Sequence, residues 1–336
     1  MSPNHNSLKS QTYLGSKWIV PSTNIRSMAL LSDTRTDHVT HGRSLSEALG
    51  VYCKFMRFHA LTPIVIFCYP AMWSACMALP STFGIEEVRK MALFCLGAFF
   101  ARTAGCCVND MADRNIDKHV ERTKIRPMAA GLISTKEALG LLAVNASLSL
   151  LVLMQFDLET IRLGILTALG GCLYPFMKRI TNYPQVFLGL ASNLSVYIAW
   201  SALAPSFTLA PVFLHLASTF WTVIYDTVYA HQDKKYDQMI GVKSMAIRWG
   251  DNTKRNAKVC AAAISLLLGA AGYTANLNDW FYAFVALSHL WMSHQINIVD
   301  LKDSASCLRF FKRSVIYGAL VLAGVLGGRD ISFKLD

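Results

Sequence analysis

Charge is scarce in this chain. Asp, Glu, Lys and Arg make up 16% of its 336 residues, where an ordinary soluble domain carries about 25%. Hydrophobic residues reach 53% and mean hydropathy is +0.35. That balance argues against one or two soluble domains and for a bundle of membrane helices. The nine cysteines include no Cys-x-x-Cys pair, which leaves no zinc ribbon and no thioredoxin-type redox motif. Cys68, Cys76, Cys95, Cys172 and Cys260 sit inside apolar runs and read as small hydrophobes. No repeat of 20–50 residues is evident, so a solenoid is not indicated. Residues 1–45 lack a long apolar run, so a secretory signal is not expected. They are rich in Ser, Thr, Asn and basic residues, and we expect a flexible tail. A mitochondrial presequence is the alternative, because Lys9, Lys17, Arg26 and Arg35 precede few acids, although Asp33 and Asp37 intrude.

Apolar stretches of span length are present in number. A membrane helix needs about 20 mostly apolar residues, and candidates occur near 58–79, 88–108, 136–155, 161–177, 186–204, 208–230, 257–277, 280–299 and 312–328. The expectation is an all-α integral membrane fold of about nine helices, with residues 46–330 as one domain. The net charge is +11, which on a soluble protein would suggest nucleic acid. Here the basic residues follow the even-numbered spans: Arg114, Lys118, Arg122, Lys124, Arg126 and Lys136; Lys178 and Arg179; Lys234, Lys235, Lys243, Arg248, Lys254, Arg255 and Lys258; Lys302, Arg309, Lys312 and Arg313. The odd-numbered loops show Arg89, Lys90 and Arg162. Positive residues gather on the cytoplasmic side of membrane proteins. The pattern therefore puts all even loops on one side, cytosolic or equivalent, and implies a bilayer rather than a nucleic acid as partner.

Against this apolar background stand two acidic motifs. The first reads Asn109-Asp110-Met-Ala-Asp113-Arg-Asn-Ile-Asp117. Asn109, Asp113 and Asp117 are four residues apart and share one helix face. The second reads Asp226-Thr-Val-Tyr229-Ala-His-Gln-Asp233-Lys-Lys-Tyr-Asp237, where offsets of seven and eleven from Asp226 also return to one face. Like charges at this spacing repel unless a cation sits between them. Oxygen ligands of this kind suit magnesium, which takes a few carboxylates plus substrate phosphate. No thiolate or paired-His arrangement favours zinc, and His119 and His231 read as rim residues. A solvated acidic loop would explain one such motif. Two at matching spacing on one side of the membrane favour a site, since ionisable groups near membrane depth are costly. Basic residues that could meet phosphate follow each motif: Arg122 and Arg126 before Gly131, Lys243 after Gly241, and a central run from Tyr174 through Lys178 and Arg179 to Pro184-Gln185. Arg offers a planar fork to phosphate oxygens and Lys a point charge.

These residues resemble the UbiA-type intramembrane prenyltransferases. Asn-Asp-x-x-Asp-x-x-x-Asp followed by Arg-Thr-x-x-Arg-Pro is similar to that family's first motif. Asp226-x-x-Tyr229-Ala-x-x-Asp233-x-x-x-Asp237 followed by Gly-Val-Lys-Ser is similar to its second, and Tyr174-Pro-Phe-Met-Lys-Arg with Pro184-Gln185 to its middle loop. The resemblance covers roughly residues 50–325. It implies nine helices around a central cavity, an active site on a cytosolic cap, and magnesium-assisted transfer of a prenyl group from an allylic diphosphate to an electron-rich acceptor. It ranks Asn109, Asp113, Asp233 and Asp237 as leading metal ligands, with Asp110 and Asp117 in support. Asp113, Asp237 and Asp226 are the expected catalytic residues, Asp226 orienting or deprotonating a phenol. Arg57, Arg122, Arg126, Tyr174, Lys178 and Lys243 are the expected diphosphate and substrate contacts. Phe99, Phe100, Trp200, Trp221 and Trp291 are candidate cavity walls.

One segment departs from the pattern. Ubiquinone-pathway members typically read Arg-Leu-Asp-Lys-Pro in span one, and here the run is Arg57-Phe-His59-Ala60-Leu-Thr-Pro63, although Tyr69-Pro70 and Trp73 match. This looks closer to the fungal meroterpenoid branch. The expected reaction is thus transfer of a farnesyl group to a polyketide-derived phenolic acid in an endoplasmic reticulum or other endomembrane. The alternatives are a mitochondrial inner-membrane 4-hydroxybenzoate polyprenyltransferase, transfer to a non-aromatic acceptor or prenyl cyclisation, and, from another class, a polytopic transporter. Transporter sites usually lie at the midplane on broken helices, unlike acids at span ends. No obligate protein partner is expected.

Overall fold

The computed structural model describes residues 43–204 and 206–334. The expected tail over 1–45 and the alternative presequence lie almost wholly outside the described residues. The chain is built from helices: α1 (Leu45–Phe55), α2 (Leu61–Ala78), α3 (Ile85–Asp117), α4 (Thr135–Leu153), α5 (Leu158–Ile180), α6 (Pro184–Ser192), α7 (Ser195–Leu203), α8 (Ala210–Ala230), α9 (Lys234–Ile240), α10 (Met245–Trp249), α11 (Thr253–Thr274), α12 (Asp279–Ile298) and α13 (Ser304–Gly327). Local chemistry sets many of their starts. Ser44 with Glu47 and Ser134 with Glu137 form capping boxes, while Asp157, Asn278 and Asp303 accept from the first turns of α5, α12 and α13, satisfying amides that the helix leaves unpaired. Gly241 ends α9 at φ 76°, a left-handed position that glycine adopts without a Cβ penalty.

Among the described residues, seven helical segments are long and apolar enough to cross a membrane. α8 and α12 have the length, at 21 and 20 residues, but their tryptophan, tyrosine, histidine and hydroxyl residues lower the hydropathy. Counting these two, and α6 with α7 as one traverse, the segments coincide with the nine expected from sequence. The fifth is broken at Asn193, whose Nδ2 donates to Gly189 O at 2.8 Å and across to Thr222 Oγ1 of α8 at 3.0 Å. The Gly189 carbonyl also takes the Asn193 amide at 3.1 Å, so the side chain adds a second donor there and ties the break to α8, keeping its own polar atoms paired at membrane depth. α6 approaches α8 so closely at Gly189 that a Cβ there would lie 2.9 Å from the Thr219 carbonyl oxygen.

α8 packs on α11, α6 and α13, and α2 on α7 and α13. The core they enclose is centred on Trp73, Trp221 and Tyr317, with Phe281 buried further along. One end of the bundle gathers the basic loops. Arg179 donates to Ala112 O at 2.9 Å, the Lys243 amide to Lys178 O at 2.8 Å, and Ser304 Oγ to Gln232 Oε1 at 3.2 Å. The opposite end gathers the remaining connections. β1 (Thr82–Phe83) pairs in parallel with β2 (Ser332–Phe333), Arg329 donates to the carbonyls of Met77 and Leu79, and Lys90 Nζ reaches Ala202 O at 2.9 Å. The alternation inferred from charge is thus physical: even loops share one face, and α13 ends on the other.

Candidate active site

Both acidic motifs emerge on the basic face, the first at the end of α3 and the second across the end of α8 and into α9. The loop after α3 folds back over them. Arg126 Nη1 lies 2.7 Å from Asp117 Oδ2 and 3.3 Å from Asp110 Oδ1. Arg57 bonds the same Asp110 oxygen. Arg57 holds this position at φ 58°, a left-handed conformation that costs a non-glycine residue about 1 kcal/mol or more. Strain of that size persists where the surroundings fix the residue, and the buried Asp110 carboxylate is what fixes this one. Arg122 grips Asp233 with both arms, its Nε to Oδ1 at 2.9 Å, and its Nη1 donates to Tyr229 Oη at 3.0 Å. The three arginines therefore neutralise Asp110, Asp117 and Asp233. In Arg122, burial opposes the charge, but the Asp233 bond prevails and raises the guanidinium above its ordinary value.

The remaining carboxylates are held less firmly. Asp113 has Lys178 Nζ at 3.4 Å and Arg179 Nη2 at 3.8 Å. The Asp237 side chain makes no hydrogen bond or ion pair among the described residues. Burial pushes its carboxyl up to about 7, and the negative charges of Asp233 and Asp113 add to this against Lys178 and Arg122. Asp226 lies beside Gln185 and Lys178, and the Gln185 Oε1 accepts from the Met245 amide at 3.0 Å. Lys243 is not aimed at the acids, since its Nζ donates to Ile180 O at 3.1 Å. Tyr174 lies under Lys178, whose Nζ is 5.3 Å from the ring centroid.

Among the described residues no three acidic, His or Cys side chains already form a closed cage. The donor set nevertheless fits a hard cation completed by phosphate: it is all oxygen, Asp113 and Asp237 lack a strong partner, and their mutual repulsion is what an ion between them would relieve. His231 faces elsewhere, its Nε2 3.0 Å from Thr253 Oγ1, and burial, then Lys234, lowers it to about 4.

An aromatic ladder leads from this cap into the bundle. Trp221, Tyr225 and Tyr229 succeed one another at i, i+4 and i+8 of α8. Trp73 meets Trp221 at 5.0 Å, Trp221 meets Tyr225 at 5.2 Å, and Phe311 of α13 lies 5.8 Å from Tyr225 and 4.8 Å from Tyr229. Of the candidate wall residues, Trp221 joins this ladder. Trp200 bonds Ser206 O, Phe99 stacks near Phe58 and Phe100, and Trp291 packs on the core. The charge pattern over-looked one residue. Arg102 lies in mid-α3, seven residues before Asn109 and on the same face. Its guanidinium contacts Cys106 and lies within electrostatic range of Tyr225 across the bundle. The signal was available: an arginine inside an apolar span is costly and marks function.

A polytopic helical bundle with paired acidic motifs, cations gathered over them and an aromatic interior defines an intramembrane enzyme of isoprenoid transfer. Comparison with known proteins agrees. The chain matches the UbiA prenyltransferase family over residues 67–318 and belongs to that family; it is a membrane prenyltransferase. It is 40% identical to the mitochondrial 4-hydroxybenzoate polyprenyltransferase of Schizosaccharomyces pombe, over 82% of this chain and 78% of that one. It is 38% identical to the Arabidopsis thaliana protein of the same name, over 85% and 70%, and 37% identical to 4-hydroxybenzoate octaprenyltransferase of Yersinia pseudotuberculosis, over 85% and 98%. Among solved structures, a UbiA homologue from Aeropyrum pernix superposes with a TM-score of 0.67 at 22% identity, covering 78% of this chain and 96% of that chain. One from Archaeoglobus fulgidus, bound to GPP and Mg2+, gives 0.62 at 16% identity, covering 82% and 99%.

Proposed function

We propose that the protein transfers a polyprenyl group from its diphosphate to 4-hydroxybenzoate or a close phenolic acid, in a mitochondrial membrane. The reading rests on similarity, over 82–85% of this chain, to 4-hydroxybenzoate polyprenyl- and octaprenyltransferases from plant, yeast and bacterium. It displaces the farnesyl transfer to a polyketide phenol, in an endomembrane, expected from the span-one departure. That earlier reading keeps one specific support, the run Phe58-His59-Ala60 beside the strained Arg57, and is the second reading.

Asp113 and Asp237, with Asn109 and Asp233 next to them and Asp110 and Asp117 behind, would hold magnesium against the diphosphate. When bound, the ion supplies charge neutralisation to the departing diphosphate. Arg122, Arg126 and Lys178 surround the same volume and can take phosphate oxygens as the carbon–oxygen bond breaks. Tyr229, Phe311 and Tyr225 present π-faces to the allylic cation that forms. The bundle keeps water from trapping it. A new carbon–carbon bond then forms at a ring carbon activated by the hydroxyl, and the ring proton is lost. Asp226, beside Gln185, would take the phenol proton as the ring attacks; the ring proton then passes to the resulting carbonyl oxygen and restores the phenol, so one proton is released overall, with the diphosphate. Arg102, two helical turns below Asn109, supplies a cation for the carboxylate of the aromatic acid.

The test is a purified-protein assay with geranyl, farnesyl and longer diphosphates against 4-hydroxybenzoate and substituted phenolic acids. Preference for a long-chain diphosphate and 4-hydroxybenzoate supports the main reading. Exclusive use of farnesyl diphosphate with a substituted polyketide phenol would overturn it in favour of the second. A pH dependence follows from Asp237. A metal ligand must be deprotonated, and this carboxyl sits at about 7 without the ion. Magnesium affinity should therefore fall as pH drops through 7, by up to tenfold per unit, with a proton released on binding. Manganese titration by electron paramagnetic resonance between pH 5.5 and 8.5 measures it, and an affinity flat across that range counts against Asp237 as a ligand.

A further inference from the structure

On the basic face, α12 and α13 enclose a cleft of about 130 Å³ that no residue of either acidic motif lines; its walls are Gln295, Ile298, Val299, Ser306, Arg309, Phe310 and Arg313. Ser306, Arg309, Phe310 and Arg313 fall at i, i+3, i+4 and i+7 and share one face of α13. Gln295 is buried at 5% exposure and its Oε1 accepts from Arg313 Nη1 at 3.2 Å. That neutral amide is the only partner Arg313 has among the described residues, so its charge is uncompensated. Arg309 has Asp303 at 3.4 Å, both well exposed, a pair of the kind worth little in water. Asp303 is meanwhile committed to the amides of Ala305 and Ser306 at the start of α13. The Ser306 hydroxyl accepts from the Asp300 amide at 3.0 Å, leaving its own proton to donate.

From this juxtaposition we infer that the α12–α13 cleft is a binding site for the phosphodiester headgroup of an anionic membrane lipid. Two guanidiniums one turn apart and a free hydroxyl donor match phosphate oxygens. Ile298, Val299 and Phe310 give the acyl-chain side an apolar floor. The location fits, because the cleft opens at the span ends on the face where basic residues gather, the depth of a headgroup. Basic pockets between spans on that side are where anionic headgroups bind. None of the residues proposed for the prenyl diphosphate lines the cleft. Phe311, which touches Tyr225 and Tyr229, lies on the opposite side of α13, so a lipid held by Arg309 and Arg313 would brace the helix that carries one wall of the ladder.

The experiment is native mass spectrometry and thermal unfolding of delipidated full-length protein in detergent, with added cardiolipin, phosphatidylglycerol, phosphatidylcholine or inorganic phosphate. Anionic lipid should remain bound and raise the unfolding temperature, while phosphatidylcholine and free phosphate do neither. Arg309→Gln/Arg313→Gln should weaken anionic-lipid retention by roughly tenfold or more. Lys124→Gln/Lys136→Gln, which removes equal charge elsewhere on the same face, should leave retention within about twofold. Equal loss in both double variants would mean that general surface charge is responsible and would overturn the site. So would retention unchanged in Arg309→Gln/Arg313→Gln, or stabilisation by free phosphate alone.

Discussion

Asp113→Asn and Asp237→Asn proteins should each lose prenyl transfer by about a thousandfold or more while remaining folded. The reason lies in which carboxylates are already satisfied. Asp110, Asp117 and Asp233 are each bonded by arginine, so part of their charge is spent within the protein. Among the described residues, Asp113 has only lysine and arginine contacts beyond 3.3 Å, and the Asp237 side chain has no hydrogen bond or ion pair. These two carry the negative charge left for a cation, and an amide in place of either removes a full charge at the point where diphosphate must be neutralised. Folding should survive. Burial and like charge have pushed Asp237 up to about 7, so its ionised form opposes the fold near and above that pH. Neutralising it relieves repulsion and should leave the unfolding temperature unchanged or raise it. Radiolabelled transfer in micelles, with size-exclusion and thermal unfolding on the same preparations, measures both effects. Activity within tenfold of the parent in both variants would remove these residues from the metal site.

Much of this site could be read before the structure because membrane burial makes charge conspicuous and helical periodicity converts spacing into direction. Asn109, Asp113 and Asp117 could be placed on one face, and charge topology could place both motifs on one side. Pairing was not legible. That Arg126 returns to Asp110 and Asp117 depends on how residues 118–134 fold back over α3, and that Arg57 reaches Asp110 depends on a left-handed backbone no propensity suggests. Lys243 had a plausible loop but points to a carbonyl. The break at Asn193 was hidden because neither proline nor glycine stands at it; it shows only in the asparagine side chain bonding across to Thr222 of α8. α8 and α12 are weak by hydropathy because their polar and aromatic residues face protein rather than lipid, yet their length kept them legible. For the acceptor, a three-residue departure at 58–60 pointed to a polyketide phenol, while the relatives favour the alternative, 4-hydroxybenzoate. A local motif carries less information about substrate than similarity spread over more than 280 residues.

Arg102→Leu should raise KM for the aromatic acid by about a hundredfold and leave KM for the prenyl diphosphate within about threefold. Arg102 sits mid-span and, among the described residues, has only the Cys106 thiol as a hydrogen-bond partner, too weak an acceptor to account for keeping a charge at that depth. A substrate carboxylate would account for it. Breaking a desolvated charge pair at a binding site costs about 2–5 kcal/mol, and a hundredfold corresponds to about 2.8 kcal/mol at 1.4 kcal/mol per decade. The diphosphate should be indifferent, because the cations proposed for it, Arg122, Arg126 and Lys178, lie at the cap, two turns or more above. A structural role for Arg102 would degrade both KM values and kcat together. The methyl ester of the acceptor separates the readings further. It lacks the charge that Arg102 would recognise, so parent and Arg102→Leu proteins should use it equally poorly, and Arg102→Lys should recover part of the affinity for the free acid alone. If the ester were used by the parent protein as well as the acid, the carboxylate would not be what Arg102 holds.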